Sequence, residues 1–65
     1  MGWGRMRRFT IYGLDRHGVV AFTRIEEHST AMGAKPTATL LLARYPKMEV
    51  WEGIVLVFRS GGRKA

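Results

Sequence analysis

The chain has 65 residues, which is enough for one small domain. Eleven Lys and Arg outnumber five Asp and Glu, so the formal net charge is +6, and this excludes an acidic mimic of DNA. The 46% of hydrophobic and 25% of charged residues are typical of a folded domain. Because there is no cysteine, disulfides, thiolate zinc sites and cysteine nucleophiles are excluded.

Two strands joined by a tight turn are predicted first along the chain. Residues 9–14 and 19–25 are rich in aromatic and β-branched side chains, which favour strands. Between them, Asp15 can close a turn with its own carboxylate, and Gly18 can adopt a positive φ. We therefore expect a β-hairpin.

The first strand of this hairpin has a clear alternation. Successive side chains point to opposite faces, so Phe9 and Ile11 are expected on one face and Arg8, Thr10 and Tyr12 on the other. The second strand carries apolar residues on both faces, so the pattern does not fix its register.

A short helix is predicted after the hairpin. Pro36 lacks an amide hydrogen and suits the first position of a helix, which we expect to run to about Arg44 and to end before Pro46. An alternative is a third strand over residues 37–45, since threonine and leucine fit both structures. The helical interpretation has an apolar stripe at i, i+3, i+4 and i+7, formed by Ala38, Leu41, Leu42 and Tyr45.

The segment 47–59 is predicted to be β-structure, because apolar β-branched and aromatic residues are nearly continuous in it. Two interpretations remain open at Glu52 and Gly53. Either they turn the chain into a second hairpin, pairing residues 48–51 with 54–59, or they form a bulge in one long strand.

These elements predict a single small α+β domain. The expected order is ββαβ or ββαββ, with a small antiparallel or mixed sheet covered on one face by a single helix. Residues 1–4 and 60–65, which together contain four glycines, are expected to be flexible tails.

Short motifs around the helix resemble those of known proteins. The turn motif D-x-x-G begins at Asp15, and the motif E-V-W-x-G begins at Glu49 and leads into an L-V strand. Together with the single helix, they make residues 9–59 similar to a group of short bacterial α+β proteins with no assigned activity. The resemblance implies the fold only, and Pro36 departs from the group's pattern of a continuous helix.

No catalytic, metal or cofactor site is predicted. His17 and His28 lie in a turn and at a strand end, and both are expected to be solvated rather than metal ligands. Glu26 and Glu27 are neighbours that a strand directs to opposite faces, so they do not form an acid–base pair. We expect a non-enzymatic protein that uses no cofactor.

The strongest functional signal is the distribution of positive charge. Six cations lie near the two chain ends, and these ends meet at one sheet edge if one long third strand pairs antiparallel with the first. Such a cluster attracts nucleic acid by counterion release, and exposed aromatic side chains can stack on unpaired bases. We expect weak, sequence-tolerant contact with DNA or RNA. The predicted binding residues are Arg5, Arg7, Arg8, Arg59, Arg63, Lys64, Trp3, Tyr12 and Trp51.

A second hypothesis is a protein-interaction or homo-oligomerisation module that uses an exposed strand edge. The run 54–58 has apolar residues on both faces of a strand, more than one short helix can cover. The predicted interface consists of Ile54, Val55 and Val57. Since this run is the longest apolar stretch and no secretory pattern is present, we expect no membrane partner and a cytoplasmic location.

Overall fold

Four strands and one helical segment account for most of the residues that the computed structural model describes, which are 5–61. All neighbouring strands are antiparallel, in the order β2-β1-β3-β4. The predicted α+β class is confirmed, and the order of elements is ββαββ. The elements are β1 (Arg7–Leu14), β2 (Val20–His28), a 3₁₀ turn (Ala31–Ala34), α1 (Lys35–Leu42), β3 (Lys47–Glu52) and β4 (Val55–Gly61).

The first hairpin forms as the turn residues predict. The Asp15 carboxylate accepts hydrogen bonds from the backbone N–H groups of His17 and Val19, at 2.7 and 3.0 Å. Gly18 has a φ of 80°, which favours glycine. The pairing continues beyond the predicted ends, to Arg7 opposite His28.

The segment 47–59 forms a second hairpin, so the single long strand is wrong. Glu52 pairs with Val55 across a two-residue loop. Gly53 is the first loop residue and has a φ of 62°, the requirement of a type II′ turn. The turn reverses the chain, and β4 therefore runs in the same direction as β1.

This hairpin also contains a bulge. Val50 pairs with Phe58, whereas Trp51 pairs with Leu56, so Val57 has no partner in the ladder. An extra residue lets two consecutive side chains turn towards one face. Val57 and Phe58 accordingly both pack against the core.

Residues 60 and 61 do not belong to the predicted flexible tail. Ser60 pairs with Met48 and Gly61 pairs with Lys47, because the ladder with β3 continues to its first residue. Residues 60 and 61 therefore belong to β4. The rest of the predicted tails, residues 1–4 and 62–65, lies outside the described range.

The helix begins at Lys35, directly after the 3₁₀ turn, and ends at Leu42, two residues before the predicted end. The alternative third strand is wrong. The stripe that faces the sheet consists of Ala34, Ala38 and Leu41, which are buried, continued by Tyr45. Leu42 is predicted in this stripe but is 37% exposed, because it lies about 100° around the helix from Leu41, on the flank of the stripe. No helix within residues 5–61 is long and apolar enough to span a membrane.

The core lies between the helix and one face of the sheet. Phe9, Ile11 and Val50 are its largest fully buried side chains. The predicted alternation of β1 is thereby confirmed for Phe9 and Ile11. Since α1 packs against β1 and β3, the central strands are covered on this face.

Candidate nucleic-acid interface

The face of the sheet opposite the helix is called the open face below. Side chains alternate along a strand, and directly paired residues share a face, so the ladder identifies its members. Within residues 5–61, no helix lies over it. The open face carries Arg8, Thr10, Tyr12, Leu14, Thr23, Ile25, Glu27, Lys47, Glu49, Trp51, Leu56 and Arg59.

Two aromatic side chains lie near the middle of the open face. Tyr12 pairs with Glu49, and Trp51 is the next residue of β3 on the same face, so Tyr12 and Trp51 are diagonal neighbours on the central strands. Both side chains are half-buried. The Trp51 indole N–H donates a hydrogen bond to Glu49 Oε1 at 2.9 Å, which orients the ring.

The arginines of the open face are held loosely. Arg8 lies 3.5 Å from Glu27, and the two side chains are 70% and 55% exposed. Arg59 lies 4.0 Å from Glu49 and is equally exposed. Exposed ion pairs contribute only about 0–1 kcal/mol, so a phosphate can replace either carboxylate at little cost.

Arg7 does not belong to the open face. It lies on the core face, where its Nε and Nη2 donate to the Glu52 carboxylate at 2.9 and 2.8 Å, and its guanidinium is 5.3 Å from the centre of the Phe9 ring. The hydrogen bonds from Arg7 hold the pKa of Glu52 below its ordinary value. This bidentate ion pair holds the Arg7 side chain on the core face of the sheet rather than on the open face.

The predicted convergence of N-terminal arginines with Arg59 is wrong. Arg59 is opposite Glu49, which is opposite Tyr12, five residues along β1 from Arg7. That register separates Arg59 from Arg7 by about 17 Å along the sheet and about 10 Å across it. The cause is the second hairpin, which sends β4 away from the end where β1 begins. Arg5 precedes β1 at that same end and is exposed, and Trp3, Arg63 and Lys64 lie outside the described residues.

The predicted interface of the second hypothesis is divided by the bulge. Ile54 in the turn is 94% exposed, and Val55 is 59% exposed. Val57 is half-buried and packs against the core of its own chain, so it exposes less surface to a partner than Ile54 or Val55, and its place in an interface stays a prediction.

A side-chain network around Glu26 was not predicted. Its carboxylate lies 2.8 Å from Arg24 Nε and 2.7 Å from His28 Nε2, and it accepts a hydrogen bond from the Thr37 hydroxyl. His28 is thus not the solvated histidine expected. The sequence feature that could have indicated this network is the i, i+2 spacing of Glu26 and His28, which places both side chains on one face of a strand. The network joins β2 to α1 through the hydrogen bond from Thr37. Among residues 5–61, no group of three or more His, Asp or Glu side chains could hold a metal ion.

This network makes stability depend on pH. Burial by itself raises the pKa of Glu26, but hydrogen bonds with His28, Thr37 and Arg24 outweigh it and lower the pKa below its ordinary value of 4.5. The stabilisation is therefore present above pH 4.5 and is lost as the pH falls through the lower folded-state pKa.

We expect Glu26→Gln to melt below the wild type at neutral pH, with a difference that shrinks as the pH falls below 4.5. Circular dichroism melts at stepped pH measure this difference. Thr37→Val, which removes one donor, should show part of the same effect. A Glu26→Gln difference that stays constant down to a pH of about 3 would contradict the assignment.

No protein-family model, curated protein or solved structure matches the chain. The resemblance to short bacterial α+β proteins therefore stays a prediction.

Proposed function

We propose that this protein binds single-stranded nucleic acid through the open face, without sequence preference and without catalysis. The observation that carries the proposal is that one face of the sheet presents two arginines and two aromatic side chains, namely Arg8, Arg59, Tyr12 and Trp51. These four come from three strands, β1, β3 and β4, and the sheet brings them to one surface. We also propose that the protein is cytoplasmic, as the sequence predicts.

The aromatic side chains favour a single strand over a duplex. A base can stack on a tyrosine or tryptophan ring only when it is unpaired, and each such contact contributes about 1–3 kcal/mol. Every base has a π face, so stacking on Tyr12 and Trp51 tolerates any sequence.

The cations are placed to follow the backbone of such a strand. Arg8 and Arg59 are offset by about 13 Å along the sheet and about 10 Å across it. Trp51 lies midway between them, and Tyr12 lies at the level of Arg59. Lys47 lies on the same face and has no carboxylate within salt-bridge distance among residues 5–61. Three phosphate contacts would give a slope of about −2 in a plot of log affinity against log salt, at about 0.7 per contact on a single strand.

Fluorescence anisotropy with labelled single-stranded and duplex oligonucleotides, at several salt concentrations, tests the proposal. Arg8→Gln/Arg59→Gln should weaken single-strand binding and reduce the salt slope by about 1.4, which is two contacts at 0.7 each. The matched control is Arg16→Gln/Arg44→Gln, which removes the same charge from exposed positions off the open face. We expect the control to keep most of the affinity.

Two results would contradict the proposal. One is the absence of binding at low salt. The other is an equal loss of affinity in both double variants, because net charge rather than the open face would then account for binding.

A further inference from the structure

We propose that a second copy of this chain pairs with the outer edge of β2, forming a two-fold dimer with one continuous eight-stranded sheet. β2 hydrogen-bonds with β1 on one side, and no other described strand pairs with its outer side. It is nine residues long and contains no proline. A long edge strand with unpaired N–H and C=O groups is a template for another strand.

Two apolar side chains of β2 are exposed in the single chain, as expected for an edge that a partner strand covers. Ile25 is 59% exposed and Phe22 is 36% exposed. The helix does not close over this strand, since a groove of about 540 Å³ remains between β2 and α1, lined in part by Phe22, Leu40 and Tyr45. A neighbouring strand at this edge would cover apolar surface that the single chain leaves in water.

The edges of β2 and β4 differ in regularity. The irregularity of β2 lies at Ala21, near its start, so residues 22–28 form a regular ladder. β4 has its bulge at Val57, in the middle of the strand, where it interrupts the edge. Regular backbone geometry over seven residues makes β2 the better partner for a further strand.

The charges of β2 select one register. Arg24 forms an ion pair with Glu26 of its own chain. With the two-fold axis at Ile25, this pair faces the same pair of the second copy in reverse order, so each Arg24 lies opposite Glu26 of the other copy, and Ile25 lies opposite itself. An axis at Arg24 or at Glu26 would place like charges directly opposite each other, which is destabilising. An axis between two residues is excluded, because it would pair a residue of one face with a residue of the other. Among these axes, the one at Ile25 is self-complementary in both charge and apolar contact.

This register predicts a specific cross-link. The chain has no cysteine, so Ile25→Cys introduces a single thiol. Directly opposite residues have Cβ atoms about 4.5–5.5 Å apart, close enough for a disulfide after small adjustment. Treatment with diamide should convert Ile25→Cys to a covalent dimer on a non-reducing gel.

Two cysteine controls test the register and the edge. Thr23→Cys lies opposite residue 27 of the second copy, about 13 Å from the other new thiol, and should cross-link slowly. Val55→Cys is a matched control on β4, since Val55 and Ile25 are both 59% exposed. Cross-linking of either control as fast as Ile25→Cys would overturn the proposal.

Sedimentation equilibrium, from micromolar to millimolar protein, tests the dimer without a covalent bond. The wild type should show a mass that rises with concentration, and Ile25→Lys should raise the dimer Kd at least about tenfold, because two ammonium groups then meet at the axis. Val55→Lys should leave the Kd unchanged, and circular dichroism checks that each variant is folded. A wild type that stays monomeric throughout would overturn the dimer but leave single-strand binding by the open face intact.

Discussion

Phe9→Ala is expected to lose a large part of the protein's free energy of unfolding. Phe9 is a residue of β1, and its side chain is fully buried between the sheet and the helical segment. The Arg7 guanidinium lies against its ring. Truncation of a buried phenylalanine costs about 3–5 kcal/mol. A domain of 65 residues has a total stability of about 3–10 kcal/mol, at roughly 0.05–0.15 kcal/mol per residue. The loss therefore removes a large part of the stability.

Urea unfolding followed by circular dichroism measures this effect. The matched control is Ile54→Ala, in the second turn, where the side chain is 94% exposed. We expect this control to change the free energy of unfolding by less than about 0.5 kcal/mol. A Phe9→Ala midpoint close to that of the wild type would contradict the assignment of the core.

Trp51→Ala is expected to weaken single-strand binding by about 5- to 150-fold, the equivalent of about 1–3 kcal/mol for one stacked base. Trp51 lies on a central strand of the open face, so loss of the indole removes a stacking surface without removing charge. Binding to a duplex, which has no unpaired base to stack, should change little.

Trp51→Phe separates stacking from other effects of the substitution. It keeps an aromatic face but loses the hydrogen bond to Glu49. We expect it to retain most of the single-strand affinity in the anisotropy titration, with unfolding curves confirming that both variants are folded. An equal loss for single strands and duplexes in Trp51→Ala would indicate a general effect on the surface rather than stacking.

Local chemistry made parts of the fold predictable. The first hairpin depends on the Asp15 carboxylate and a positive φ at Gly18, both of which are properties of the turn residues themselves. The burial of Phe9 and Ile11 follows from strand alternation. These features need no knowledge of distant residues.

The second hairpin depended on pairing that local sequence does not specify. Gly53 fits both a turn and a bulge, and the outcome rests on how β4 pairs with β3 around the bulge at Val57. That choice set the direction of β4 and therefore the position of Arg59. The sequence could predict that Arg8 and Tyr12 share a face of β1, but only the β1–β3 register adds Trp51 to it.

The helical stripe illustrates a different limit. The 3₁₀ turn extends the helical segment upstream of Lys35, so Ala34 joins the buried stripe while Leu42 lies on its flank. A pattern that starts at Pro36 misses this earlier turn. The Glu26 network was missed for a related reason, because the Thr37 hydroxyl comes from the helix and completes the site only after packing.

The most direct test of single-strand binding by the open face is the fluorescence of Trp51 itself. The chain has two tryptophans, so a Trp3→Phe variant reports on Trp51 alone. We predict that a single-stranded oligonucleotide quenches this emission to saturation, with the Kd found by anisotropy, and that added salt reverses the quenching. Oligonucleotide binding by anisotropy without any change in Trp51 emission would contradict the account.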